Sequence, residues 1–203
     1  MALSRRSLPA DHPFATVRVA PDGVALPPIW LLGSSGASAN FAGTLGLGYA
    51  FARHFSVVPA EPALRAYRGA FVPSPQFAKP HVIVCIAAIC AETDEEADYL
   101  ARSTDLMWVR FRRNEYAPIP SPEEASAYLY SDHERPIVDA NRARHFIGRP
   151  DRVIAGLADL ARSTGADEIM VTSMMYDRDA RFRAYQLLAN EWGLQSDQDS
   201  SNR

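Results

Sequence analysis

Two groups of residues in this 203-residue sequence have the types and spacing to do chemistry. Gly33, Ser34, Ser35, Gly36 and Ser38 crowd a turn between an apolar run, PIWLL at 28–32, and a stretch with helical spacing. Glycines let the backbone approach an anion, unpaired N–H groups at a helix start attract it, and serine hydroxyls add donors. Asn40 follows one turn later and could contribute. This is the chemistry of a phosphate cradle. The same residues also suit a plain glycine-rich turn with helix-capping serines, because neither a complete dinucleotide-binding fingerprint nor a complete Walker pattern is present. The second group is Arg53, His54 and Ser56, at the end of the apolar run LGYAFARHF. Arginine can pair with phosphate and histidine can move a proton. Local sequence supplies no set of acid, base and nucleophile around them, so packing or surface roles compete with that reading.

The other conspicuous residues read as structural. His81, His133 and His145 are expected in packing or surface positions. Asp132, His133 and Glu134 are adjacent, so they cannot share one helical face, and no metal-ligand spacing accompanies them. No metal site is expected. Arg110, Arg112 and Arg113 stand beside Trp108 and Phe111 as a helix end with snorkelling cations, and Met170, Met174 and Met175 as packing at a strand end. Cys85 and Cys90 lie within one apolar run and read as buried, reduced thiols.

Positioning these groups requires elements of a particular kind. Continuous apolar runs near 28, 48 and 82 and a strand near 168 predict four buried strands, separated or followed by helices. HVIVCIAAIC, residues 81–90, is too uniformly apolar for a half-exposed strand and is expected at the centre of a parallel sheet. Thr93 and Glu96 match a capping box opening a helix with a stripe from Ala97 to Phe111. Further helices are expected over 61–71, near 123–130, within 148–165 with its stripe ending at Gly165, and over 179–194, with residues 113–147 an excursion outside the sheet and a short strand possible at 15–19. Parallel strands need crossovers, so the order predicts α/β architecture with functional loops at the C-terminal strand ends.

Composition narrows the classes. With 47 % hydrophobic and 22 % charged residues, one substantial core is expected and pervasive disorder is not. A net charge of -3 without a long run of one sign argues against nucleic acid as an obligate partner. The apolar run ending at Cys90 falls short of the roughly 18 residues a membrane span needs, and the start lacks a secretory pattern, so a cytoplasmic location is expected. A complete eight-stranded α/β barrel takes about 250 residues, which this chain does not reach.

At PIWLLGSSGASANFAGTLGLGYAFARHF the sequence resembles the bacterial-luciferase-like flavin-dependent oxidoreductases. The resemblance continues through YRGAFVPS, HVIVCIAAICAETDEEAD, FIGRPDRVIAGLADLARSTGADEIMVTSMMYD and RFRAYQLLANEW, most positions from about 12 to 192. It implies a monooxygenase that uses reduced FMN and molecular oxygen on a small organic substrate, commonly with a flavin reductase. Gly33, Ser34, Ser35 and Ser38 then match the loop that helps hold the flavin phosphate, with Asn40 in the helix that follows. Ala52, Arg53 and His54 match a strand end nearer the flavin and substrate cavity, and Gly148, Arg149 and Pro150 a loop entering a late helix. No catalytic residue is assigned. The match begins just before the family's fifth strand, which implies an incomplete luciferase-like TIM barrel, strands five to eight with covering helices. The expected organisation is an extended lead-in over 1–27, the barrel domain over 28–192 and a polar tail over 193–203. Uncovered strand edges imply a homo-oligomer or a missing complementary half-barrel. The alternatives are a non-catalytic flavin-binding or structural partner domain, and a fragment of a longer enzyme.

Overall fold

The computed structural model describes residues 8–17 and 27–194. Its centre is the strand predicted most strongly, here the third in chain order. This β3, Val82–Cys90, has every residue except Ile83 buried, which is why its sequence needs no polar face. β2, Gly48–Ala52, pairs with its first half, and β1, Trp30–Gly33, pairs outside β2. β5, Glu168–Thr172, pairs along the opposite edge of β3, and all these pairings are parallel. β4, His145–Gly148, pairs with the last four residues of β3. Ala87 faces Thr172 on one side and His145 on the other, so β4 continues the edge that β2 begins.

Seven helices connect and cover these strands among the described residues: α1 Gly36–Thr44, α2 Ala60–Ala70, α3 Asp94–Arg112, α4 Pro122–Ala127, α5 Arg135–Arg142, α6 Pro150–Thr164 and α7 Arg178–Trp192. The pleat sends Tyr49, Phe51, Val82, Val84 and Ile86 to one face, where they pack with Leu64 and Tyr67 of α2, Val153 and Leu157 of α6 and Ala184 of α7. Each fully buried aliphatic side chain there contributes roughly 1.5–3 kcal/mol. The other face carries small residues, Ala50, Ala52, Cys85 and Ala87, and ends at Leu32 and Met170, which are 68 % and 53 % exposed. Nothing in the described structure closes that second face at its two edges.

Local signals explain the helix starts. Thr93 accepts a hydrogen bond from the Glu96 backbone N–H at 3.1 Å, the hydroxyl half of the expected capping box. α1 and α2 meet closely at Gly43, where a Cβ would lie 2.6 Å from the Tyr67 carbonyl oxygen. Four expectations change. Residues 113–147 do not stay outside the sheet, because His145–Gly148 adds β4; four residues after a polar stretch carry too little alternation to announce a strand. The second strand ends at Ala52 and residues 53–55 form a turn. β1 and β5 are edges rather than strands buried on both faces. Residues 8–17 form turns rather than the possible strand at 15–19, whose last two positions lie outside the described residues, as do 1–7, 20–26 and the tail from 195.

Candidate functional site

Both residue groups singled out in the sequence fall at C-terminal strand ends. β1 stops at Gly33, Ser34 and Ser35 are exposed, and α1 opens at Gly36. Ser35 occupies the N-cap with extended backbone, but its side chain makes no capping bond. The first turn's N–H groups at Gly36, Ala37 and Ser38 therefore have no partner within the helix, and the first return bond is Ala39 N–H to the Ser35 carbonyl at 3.2 Å. Asn40 is exposed one turn on. The Ser34 hydroxyl and the three N–H groups have no partner among the described residues, while the Ser35 hydroxyl is exposed and lies 3.4 Å from Ser38 Oγ.

Ser38 behaves differently from the expectation that it contributes a donor. Its Oγ lies 2.9 Å from the Ser35 carbonyl oxygen and 3.0 Å from the Tyr49 hydroxyl, which itself lies 3.2 Å from the same carbonyl. Two protons serve three contacts, so one hydroxyl donates to Ser35 and the other donates to its neighbour. Ser38 thus braces the loop from behind. Gly33 permits this, because a Cβ there would lie 2.6 Å from the Ser38 Cβ and 3.1 Å from the Tyr49 hydroxyl.

At the end of β2, Ala52 is buried on the small-residue face. His54 places both its backbone N–H and its Nδ1 3.3 Å from the Cys85 carbonyl oxygen, and its ring stacks obliquely on Phe55 at 4.1 Å. Arg53 donates from Nη1 to the Arg144 carbonyl at 3.1 Å, across 91 residues of sequence. Ser56 ties the two strand ends together, with its Oγ 3.3 Å from the Ser34 carbonyl and 2.8 Å from that of Val58. Burial pushes the Cys85 thiol up, so it stays protonated on this face.

The Arg53 contact to the Arg144 carbonyl brings in the neighbouring His145. His145 opens β4, its Nδ1 is buried without a hydrogen-bond partner among the described residues, and it lines a cleft of 280 Å³ with Asp94, Asp98, Arg142, Ile147 and Arg152. Burial, then the charges of Arg144, His54 and Arg53, pull its imidazole down to about 4. The sign of the consequence is fixed. Between that value and the ordinary 6.5, the unfolded chain binds a proton that the folded imidazole refuses, so stability is lost as pH falls through this window. His145→Gln is expected to lose that part of the acid sensitivity, up to about 1.4 kcal/mol for each pH unit, measured as the difference between the two proteins' denaturant midpoints from pH 7 to pH 4.

The remaining candidates are structural in the fold. His81 Nε2 meets Glu168 Oε1 at 2.8 Å and packs against Trp30 and Phe77, and His133 is exposed. Glu134 is bound by Ser131 and Tyr128, and no group of three or more His, Cys, Asp and Glu placed to hold a metal ion occurs among the described residues. Arg110 pairs with Glu124, and Arg113 with Glu115 and Glu134, while Arg112 has no carboxylate within 4.0 Å among the described residues. Gly148 ends β4 with a left-handed backbone, Arg149 pairs with Asp151, and Pro150 begins α6. Met175 is buried as expected, but Met170 is exposed on the open face. No described helix is long and apolar enough to cross a membrane.

Comparison with known proteins gives the family and the fold. A model of the luciferase-like monooxygenase family matches residues 4–168. A luciferase-like monooxygenase of Escherichia coli K12 is 36 % identical over 178 residues, covering 88 % of this chain and 53 % of its own. The crystal structure of apo-MsnO8 superposes with a TM-score of 0.80 at 34 % identity, over 94 % of this chain and 57 % of that one. The oxygenating constituent of 3,6-diketocamphane monooxygenase from Pseudomonas putida, solved with FMN, shares the fold at 24 % identity and a TM-score of 0.52, over 81 % of this chain and 48 % of that one. The chain spans about half the length of the relatives it matches.

Proposed function

We propose a flavin-binding role in oxygenation for this chain, which belongs to the luciferase-like monooxygenase family. The observation that carries the reading is the donor set at the end of β1: the exposed Ser34 hydroxyl and the N–H groups of Gly36, Ala37 and Ser38, the latter three with no internal acceptor, beside an exposed Ser35 hydroxyl in contact with Ser38 Oγ. Such a set fits a phosphate monoester, and FMN is the flavin that carries one. Asn40 adds an amide one turn further. Reduced FMN supplies, when bound, the electrons with which molecular oxygen is activated.

The chain's own residues would bind, orient and shield. Gly33 and Ser38 fix the cradle, and Ala52 with its small neighbours Ala50, Cys85 and Ala87 would form the floor under a flat, apolar ring system. His54 is oriented by the Cys85 carbonyl at the rim, where it and Arg53 would face the reacting end. In this reading β1, β2, β3 and β5 are strands five to eight of an incomplete TIM barrel, and β4 is an extra pairing on β3. A complementary half, from another segment or another chain, would close the open face between Leu32 and Met170.

FMN titration followed by flavin fluorescence tests the reading, with riboflavin alongside. FMN is expected to bind and riboflavin to bind more weakly. Ser34→Ala is expected to weaken FMN by about tenfold, the worth of one hydrogen bond to a charged group, and to leave riboflavin unchanged. Equal affinity of the variant and the parent for FMN would reject the phosphate assignment. Oxidation of supplied reduced FMN coupled to substrate oxygenation then separates a monooxygenase from a flavin binder.

A further inference from the structure

We propose that the cleft between the β2–α2 turn and the α3–α5 corner binds the anionic end of a small organic acid, held by Arg53, Arg112 and Arg144. It deepens the flavin reading by naming a substrate class, and it rests on that reading only for the acid being a substrate. The cleft measures 490 Å³ and is lined by these three arginines with Ser56, Glu61 and Ala140, and by an apolar wall from Val57 to Ala60. An adjoining cleft of 240 Å³ shares Arg112, Ala140 and Arg144 and adds Trp108.

Arg102, Arg110, Arg113, Arg142, Arg149 and Arg152 each have a carboxylate partner, yet among the described residues none of the three cleft guanidiniums has one within 4.0 Å. Arg65, Arg68, Arg178 and Arg181 also lack a carboxylate within 4.0 Å among the described residues but lie outside the cleft, whereas three such guanidiniums converge in it. Glu61 acts on Arg53 only at longer range. Arg144 Nε and Trp108 Nε1 are buried without a partner, and the Arg144 guanidinium stacks over the Trp108 ring at 5.9 Å. Both nitrogens are donors only, so what the cleft lacks is an acceptor. Planar guanidiniums match the paired oxygens of a carboxylate, sulfonate or phosphate. The exposed valines beside them, Val57 at 81 % and Val58 at 48 %, suit an acid with an apolar body.

One such oxyanion could also come from the flavin, because Ser56 joins the cleft to the Ser34 loop. The cradle at α1 already offers its own donors to that phosphate, which favours a separate acid here. The deciding experiment titrates the whole chain with octanoate by calorimetry at low ionic strength, alone and with saturating FMN, and repeats it on Arg112→Gln and Arg144→Gln. Octanoate is expected to bind in both conditions, octanol not to bind, and each variant to weaken octanoate by about tenfold while FMN affinity stays as in the parent. Arg112 is exposed at a helix end, so its variant keeps the fold if Arg144→Gln does not. Absent binding of octanoate, or equal binding by parent and variants, overturns the proposal. Loss of octanoate binding with FMN present, together with Arg112→Gln weakening FMN but not riboflavin, also overturns it and assigns the arginines to the flavin phosphate. Arginine-dependent octanoate binding in a chain that ignores FMN sustains the acid site and rejects the flavin reading.

Discussion

Replacing Arg142 with leucine is expected to remove about 3 kcal/mol of stability at pH 7, the low end of what breaking a buried ion pair costs. Arg142 reaches from α5 to two carboxylates of α3, Asp98 Oδ1 at 2.6 Å and Asp105 Oδ2 at 2.7 Å. The two partners are unequal. Asp98 is 42 % exposed, and its bond is a surface pair worth at most about 1 kcal/mol, although Arg142 and Arg102 outweigh burial and hold its carboxyl below the ordinary value. Asp105 is 4 % exposed, and burial raises its carboxyl despite Arg142 and Asn141. Leucine would leave that carboxylate inside the protein with no cation. Arg142 is itself 32 % exposed, which keeps the cost from the top of the range. Two further results follow from the same physics. The loss should shrink as pH falls, because Asp105 can then take a proton and become neutral. Adding Asp105→Leu should restore part of the stability, since an apolar pair can replace a buried ionic one. Urea midpoints of the parent, single and double variants at pH 7 and pH 5 measure all three. A loss independent of pH would show that Arg142 acts through packing alone.

This network also explains why part of the site was not legible in the sequence. The strand β3 and the Thr93 cap could be read because each is a local pattern: nine apolar residues in a row, and a hydroxyl followed three positions later by a carboxylate. The turn between β1 and α1, with its glycines and serines, was legible for the same reason. β4 was not, because it exists only through pairing with the second half of β3, beside an α5 held to α3 by Arg142. Arg144 and His145 acquire their surroundings from that placement. Their neighbours Arg53, Trp108 and Arg112 lie from 32 to 92 residues away in sequence, so no window of sequence contains the cluster. Ser38 shows the opposite case. Its type and position suggest a ligand donor, but Tyr49, from the adjacent strand, turns its hydroxyl into the loop. A serine's type says that it can donate and leaves open to what.

Gly33→Ala is expected to cost both stability, about 1–3 kcal/mol from overpacking, and nearly all affinity for FMN. The backbone at Gly33 does not carry a left-handed angle, so the demand for glycine is purely one of space. An added methyl would overlap Ser38 Oγ and come within 2.6 Å of its Cβ, an atom that cannot rotate away because it is fixed to the helix backbone. Relief must come from moving the β1–α1 loop against Tyr49, whose hydroxyl is bound to both Ser35 and Ser38. Any such shift re-aims the N–H groups of the first turn of α1, which must converge on one phosphate to bind it together. Ser38→Ala would not rescue the substitution, since it removes Oγ and keeps Cβ. Ser38→Gly would remove both, so Gly33→Ala with Ser38→Gly should regain stability while the unbraced loop holds FMN less well than the parent. Thermal unfolding reads the first effect without any flavin present, and FMN titration reads the second. Recovery of stability without recovery of full affinity would identify the Ser38 hydroxyl as the brace of the cradle. Full affinity in Gly33→Ala would mean that the phosphate does not sit on this turn.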